Sequence, residues 1–187
     1  MPQLRYQPGE TSLFSRPECA GTLGALAAEI SVACETPERM AVGIRAALER
    51  AVADPALLGA EQREPSADCY ARHVIYADPL GRFTILALVW DAGQFSPSHA
   101  HDTWCAYAVY EGALHETIYA ADAAGLKVRP VCTEARRPGY SCFAEVGLDQ
   151  IHRLGNSGSK PAISIHVYGV ERERIATHVN RLVDVAP

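Results

Sequence analysis

Apolar and polar positions along the chain fall into two regimes. From about residue 18 to residue 58 the sequence is rich in alanine and leucine, and "TPERMAVGIRAALERAVADP" is its clearest piece. Ile44, Leu48, Ala51 and Val52 recur there at helical spacing. Thr36 stands at the N-cap position, Pro37 suits the first helical position, and Asp54-Pro55 stops the pattern. These features predict an α-helical layer that packs its apolar face on the rest of the chain. From Tyr70 onward the texture changes to short β-rich runs such as "YARHVIYADPLGRFTILALVW", "TWCAYAVYEGALHETIYAAD", "GYSCFAEV" and "PAISIHVYGV". Turn signals "DPLG", "EGA" and "GNSGSKP" separate them. In the last run Ser164, His166 and Tyr168 project to one face of a strand and Ile163, Ile165 and Val167 to the other. Short strands at this spacing predict a mainly β fold, a small antiparallel barrel or jelly roll, behind the helical layer. The expected organisation is one domain over 1–187, with helices at about 18–58 and the barrel at about 69–187.

Composition narrows this only a little. The 187 residues are 48% hydrophobic and 21% charged, enough for one sizeable core. A formal net charge of -5 gives no global basic field for nucleic acid. The clusters Arg136-Arg137 and Arg172/Arg174 are short and read as solvated surface. No apolar run approaches the roughly 20 residues of a membrane helix, and the N-terminal segment has no continuous apolar stretch of the kind a secretion signal needs. Six cysteines (Cys19, Cys34, Cys69, Cys105, Cys132, Cys142) include no CxxC pair and suggest neither a disulfide framework nor a thiolate zinc site. A cytoplasmic protein is the expectation.

The chemistry concentrates in "SPSHAHDTWCAYAVYEG". His99 and His101 stand two apart on a strand, so both imidazoles point to one face, as a metal or catalytic site needs. Cys105 follows on the same parity. The remaining histidines His73, His115 and His178 read as surface or hydrogen-bonded residues, and Cys19, Cys34, Cys69, Cys132 and Cys142 as structural. Trp90 and Trp104 read as core packing or pocket wall. Ser164 and His166 lack the acid and the nucleophile elbow of a hydrolase.

The run from Gly93 through His99-x-His101 to Cys105 and Gly112 resembles the first motif of the cupins, and "IHRLGN" (His152-x3-Asn156) the end of their second. In most cupins the slot held here by Cys105 is a glutamate, the fourth metal ligand. Three neutral imidazoles without that carboxylate suit a borderline divalent metal such as iron or zinc. With "SIHVYG" added, the stretch from about Tyr70 to Val170 resembles the cysteine dioxygenase family of thiol dioxygenases, which are cupins. The wording is most similar to its bacterial branch, which includes 3-mercaptopropionate dioxygenases.

The resemblance implies Fe(II) held by His99, His101 and His152, an outer triad of Ser164, His166 and Tyr168, and a substrate pocket lined by Tyr70 and Arg72. It also implies a thioether crosslink between Cys105 and Tyr168, since mammalian members carry cysteine in this strand and most bacterial ones glycine. The implied reaction inserts both atoms of O2 into a small carboxylate-bearing thiol to give a sulfinic acid, with no nucleic-acid or membrane partner. Arg72, where the bacterial branch carries glutamine, favours L-cysteine; 3-mercaptopropionate and mercaptosuccinate are the alternatives. Arg72 paired with a surface carboxylate such as Asp68 is the plainer reading of that residue. The bacterial branch also has an arginine after "HVYG", a pattern altered here to "VERERIATHVNRL". A metal-binding cupin without redox activity, a sensor or small-acid binder, is the alternative of another class. The sequence leaves the oligomeric state open.

Overall fold

The structure is a computed structural model and describes residues 21–122 and 127–186. Cys19 and the first residues of the predicted helical region lie outside them. The helical layer consists of α1 (Thr22–Cys34) and α2 (Pro37–Val52), followed by a short 3-10 turn, Ala60–Arg63. Pro37 opens α2 as expected; Thr36 occupies the N-cap position but its side chain makes no capping bond.

Ten strands follow among the described residues: β1 (Ala71–Ala77), β2 (Thr84–Trp90), β3 (His99–His101), β4 (Cys105–Glu111), β5 (Leu114–Ala121), β6 (Val128–Arg136), β7 (Ser141–Ala144), β8 (Gly147–Gly155), β9 (Ala162–Tyr168) and β10 (Asn180–Leu182). They form two five-stranded antiparallel sheets, ordered β1-β2-β9-β4-β7 and β10-β3-β8-β5-β6. This is the mainly β barrel with an N-terminal helical layer that the sequence pattern predicts.

Parity organises two cores. On β2, β4 and β9, the side chains of Ile85, Ala87, Val89, Ala106, Ala108, Ile163, Ile165 and Val167 pack outward against Leu26, Ile30, Ile44 and Leu48 of the helices. The alternate residues Leu86, Leu88, Trp90, Cys105, Tyr107, Val109 and Tyr168 point inward and meet Leu114 and Leu154 of the second sheet. β9 is the middle strand of the first sheet, and all seven of its residues are buried.

The turn signals hold the strand ends. In "DPLG" the Gly81 amide donates to the Asp78 carbonyl at 2.9 Å, and the Asp78 carboxylate takes two bonds from the Arg82 guanidinium at 2.8 and 3.0 Å. Gly112, between β4 and β5, has φ +71, and a Cβ there would lie 2.9 Å from the Ala162 Cα. Only glycine fits that crossing.

The motif ends meet at Asn156. Its carbonyl accepts from the Gly93 amide at 2.9 Å, and its side-chain amide donates to the carbonyls of Trp90 at 2.9 Å and Lys160 at 2.8 Å. This one buried residue thus ties the loop ahead of β3 and the end of β2 to the chain leaving β8.

Candidate metal centre and its surroundings

His99 and His101 point into the barrel from β3, and Ala100 between them packs with Val128 and Ile151 instead. β8 brings His152 directly opposite His99. The three rings lie with centroids 4.7 to 5.2 Å apart, and their candidate ligand nitrogens are all within 4.8 Å of one another. The His99 Nδ1–H donates to the Pro97 carbonyl at 2.9 Å. The His152 Nδ1–H donates to Glu116 Oε1 at 2.7 Å, and the other Glu116 oxygen accepts from Arg136 Nε at 2.8 Å. In both rings these bonds leave Nε2 as the bare nitrogen for a metal. Among the described residues His101 Nδ1 is buried without a partner.

Electrostatics favour the neutral ligand form. Burial, followed by the neighbouring His152, pushes His99 down to about 3. Burial, followed by His99 and His152, pushes His101 down to about 2. Burial alone would raise Glu116, but the hydrogen bonds from His152 and Arg136 outweigh it and hold the carboxyl below its ordinary value. Three imidazoles, two oriented from behind, with no acid among them, fit a borderline divalent cation. Cys105 is not one of the converging ligands.

The inward face of β9 carries the second group of residues. The Ser164 hydroxyl lies 2.9 Å from His166 Nε2, and His166 Nδ1 lies 3.1 Å from the Tyr168 hydroxyl. Trp90 Nε1 donates to Ser164 Oγ at 2.9 Å. Tyr107 stacks on His166 with ring centroids 5.1 Å apart. Burial holds His166 well below its ordinary value and so keeps it neutral. Across the β4–β9 ladder Cys105 pairs directly with Tyr168. Burial pushes both the Cys105 thiol and the Tyr168 hydroxyl well up, and the thiol beside it raises the tyrosine further. Gly169, the last residue of "HVYG", passes under Trp104, and a Cβ there would lie 2.1 Å from the Trp104 Nε1.

Tyr70, immediately ahead of β1, lines the same interior, and Arg72 stands two residues on, in β1. Tyr70 stacks on Trp90 at 4.2 Å, and burial raises its hydroxyl. Arg72 is only 7% exposed, yet its one hydrogen bond among the described residues is a long one, 3.3 Å to the Ile175 carbonyl. No carboxylate of the described residues pairs with it, Asp68 included. Its positive charge acts on His99, Cys105, His166 and Tyr168. The segment after "HVYG" sends no arginine into this cavity: Arg172 and Arg174 sit on a 3-10 turn, and the segment contributes the Ile175 carbonyl and Asn180. Asn180 pairs with His101 across β10 and β3, lines the cavity, and buries an Oδ1 that has no partner among the described residues.

Two cavities share the wall of His101, Cys105 and His152. The tighter, about 10 Å³, lies among His99, Tyr70, Trp90, His166, Tyr168 and Asn180. The wider, about 150 Å³, lies behind the wall among Tyr107, Glu116, Arg136, Tyr140 and Cys142.

The structure corrects one reading and adds several residues. Arg136 is not solvated surface: its side chain is half-buried, bonded to Glu116 and Glu134 and stacked 4.3 Å over Tyr140. Trp104 does pack, against Phe143, but Trp90 does more than pack. Glu116, Trp90 and Asn180 are polar contributors that sequence reasoning missed. Glu116 alone left a trace, an acid sharing strand parity with Leu114 and Ile118. His73, His115 and His178 bond locally to Glu64, Ser157 and Thr177, away from the cluster.

One solved structure supports the fold. An uncharacterized conserved protein with a double-stranded β-helix domain from Klebsiella pneumoniae subsp. pneumoniae is 17% identical; the match covers 71% of this chain and 94% of that one, with a TM-score of 0.50. A protein from Thermus thermophilus is 17% identical over 59% of this chain and 91% of its own, with a TM-score of 0.47. A polyketide cyclase from Streptomyces resistomycificus is 20% identical over 64% and 75%, with a TM-score of 0.46. The sequence profile described as cysteine dioxygenase type I matches residues 66–179. That stretch takes in more than half of the chain, both histidine-bearing strands and the central β9, and the chain therefore belongs to the cysteine dioxygenase type I family.

Proposed function

We propose that the protein is a thiol dioxygenase that converts L-cysteine to cysteine sulfinic acid, R–SH + O2 giving R–SO2H. The observation that carries this reading is the pairing of three buried, converging imidazoles with a buried guanidinium that has no acidic partner among the described residues. Fe(II), the metal implied by the family, would be held by His99, His101 and His152; it supplies the redox chemistry with O2 and the affinity for thiolate that no side chain supplies.

The remaining work falls to the chain's own groups. Arg72 exchanges its long bond to Ile175 for a carboxylate, which its planar fork accepts in two parallel bonds. The buried, unpartnered Asn180 Oδ1 accepts a hydrogen from the substrate amine. That acceptor favours L-cysteine over 3-mercaptopropionate, which has a carboxylate and no amine. Tyr70, Trp90 and Leu88 close the cavity around the substrate and keep bulk water away. Tyr168, held by His166 and Ser164, presents its hydroxyl to the same cavity.

Cys105 and Tyr168 are direct cross-strand neighbours, a placement whose Cβ atoms stand ~5 Å apart. The reading includes a thioether between them. Forming it breaks the Sγ–H bond and one ring C–H bond and makes one C–S bond, with the two protons and two electrons passing to O2 to give H2O2. A mass loss of about two hydrogens after turnover, carried by one joined peptide pair, identifies the bond. Unmodified peptides after many turnovers refute it.

The deciding experiment is oxygen uptake by anaerobically Fe(II)-loaded protein, given L-cysteine, 3-mercaptopropionate or mercaptosuccinate, with sulfinate measured in parallel. Uptake matched by cysteine sulfinate supports the proposal. Preference for 3-mercaptopropionate overturns the substrate assignment, and uptake with no thiol despite bound iron overturns the activity.

A further inference from the structure

We propose that Trp90 sets the direction of the hydrogen-bond chain through Ser164 and His166, and thereby makes the Tyr168 hydroxyl a donor toward the cavity. The chain has four members in order: Trp90 Nε1, Ser164 Oγ at 2.9 Å, His166 with Nε2 at 2.9 Å from that oxygen, and the Tyr168 hydroxyl at 3.1 Å from Nδ1. Taken without Trp90, it reads equally well in both directions, because a serine hydroxyl, a neutral imidazole and a phenol each donate and accept.

Trp90 breaks the symmetry. An indole N–H only donates, so Ser164 Oγ accepts from it. Ser164 is fully buried, and among the described residues its oxygen has two partners, Trp90 and His166. Its hydrogen therefore goes to His166 Nε2. A neutral imidazole that accepts at Nε2 carries its proton on Nδ1, and that N–H donates to the Tyr168 oxygen. The phenolic hydrogen is then free to point at the cavity, which Cys105 also lines.

The opposite direction gives Ser164 two hydrogens to accept and leaves its own hydrogen unbonded in a dry site. The cost of one buried unsatisfied donor corresponds to roughly a 5- to 150-fold preference for the first arrangement. Trp90 is well placed to hold this bias. Its ring is 1% exposed and stacked on Tyr70, and its carbonyl is bonded by Asn156. It is a positioning residue: it acts on Tyr168 through two intermediaries.

The direction of the chain follows from side chains alone; its use as a donor to substrate rests on the dioxygenase reading. The test is 15N NMR of protein labelled at histidine, metal-free and with diamagnetic Zn(II), His166 being assigned by the signals lost in His166→Gln. Wild-type protein is expected to show a protonated Nδ1 and a bare Nε2 at His166. Trp90→Phe, which keeps an aromatic ring against Tyr70 and removes the N–H, is expected to convert this into a mixture of the two tautomers. A protonated Nε2 in the wild-type protein overturns the proposal whether or not the variant folds. An unchanged, fully Nδ1-protonated His166 in folded Trp90→Phe also overturns it. The measurement needs no turnover, so protein inactive on every thiol would sink the dioxygenase reading and leave the tautomer result standing.

Discussion

Acid should unfold the metal-free protein far more readily than its carboxylates alone would allow, because two of the three clustered histidines refuse protons. His99 is held down to about 3 and His101 to about 2, whereas an unfolded imidazole titrates near 6.5. For a base whose folded pKa is depressed, the unfolded state binds more protons throughout the interval between the two values. Stability is therefore fully present above about 6.5, falls as the pH drops below it, and levels off only near the folded values. Each group contributes about 1.4 kcal/mol per pH unit, so at pH 5 each costs about 2 kcal/mol and the pair about 4. His166, also held low by burial, pulls the same way.

A loss of about 4 kcal/mol is a large part of the 5–15 kcal/mol typical of a folded domain. The assay is urea unfolding of chelator-treated protein at pH 7 and pH 5. With a slope of about 2 kcal/mol/M, the midpoint should fall by about 2 M. His99→Gln and His101→Gln should each remove about half of that pH dependence, whatever they do to the stability at pH 7. Equal midpoints at pH 7 and pH 5 would refute the view that these imidazoles are buried and neutral in the absence of metal.

Three further outcomes follow from the geometry. Glu116→Ala frees the His152 ring and leaves Arg136 with Glu134 alone, and should weaken metal binding by about 10- to 100-fold in an anaerobic Fe(II) titration; unchanged affinity would show that Glu116 does not orient the ligand. Gly169→Ala drives a methyl group into Trp104 and should cost about 1–3 kcal/mol, read as a lower Tm, while displacing the adjacent Tyr168 and reducing turnover. A wild-type Tm would contradict that close approach. The substrate contacts separate by their chemistry. Arg72→Gln should raise KM for every carboxylate-bearing thiol by about tenfold or more, whereas Asn180→Leu should raise it for L-cysteine and leave 3-mercaptopropionate unaffected. Parallel effects of the two variants on both thiols would remove Asn180 from amine recognition.

The part of this centre that was legible in the sequence is the part written by strand period. His99 and His101, or Ser164, His166 and Tyr168, declare a common face because residues two apart on a strand must share one. The rest depends on pairings the chain does not advertise. Glu116 stands 36 residues from His152 and meets it only because β5 lies beside β8. Trp90 reaches Ser164 across 74 residues through the β2–β9 ladder, where Leu88 is the direct partner of Ser164. Asn180 arrives on a three-residue strand that follows an irregular turn, and nothing in "VERERIATHVNRL" marks that it will lie beside His101. Arg136 reads as half of a surface arginine pair, and becomes a partner of Glu116 only because β6 is paired to β5.

The helical layer, remote from the chemistry, is what fixes the register on which that chemistry depends. β9 is buried on both faces, so its two sets of side chains have no interchangeable environment: Ile163, Ile165 and Val167 meet the helices, and Ser164, His166 and Tyr168 meet the barrel interior. A slip of one residue against β4 would turn the polar set toward Ile44 and Leu48 and the aliphatic set toward the histidines. Each polar group so misplaced would lose its partner in a dry environment, at about 1–3 kcal/mol apiece. Ala106 and Ala108 on β4 carry the smallest side chains that still cover the sheet, which lets α2 lie close against this strand. Gly112 pins the far end of the same ladder, where any side chain would strike the backbone of Ala162. With that end and one face fixed, Cys105 stands opposite Tyr168 and Tyr107 opposite His166. The alignment of thiol, phenol and imidazole around the candidate metal site is therefore a consequence of packing on the opposite side of the sheet, and changes at Ile44, Leu48 or Gly112 should reach it without touching it.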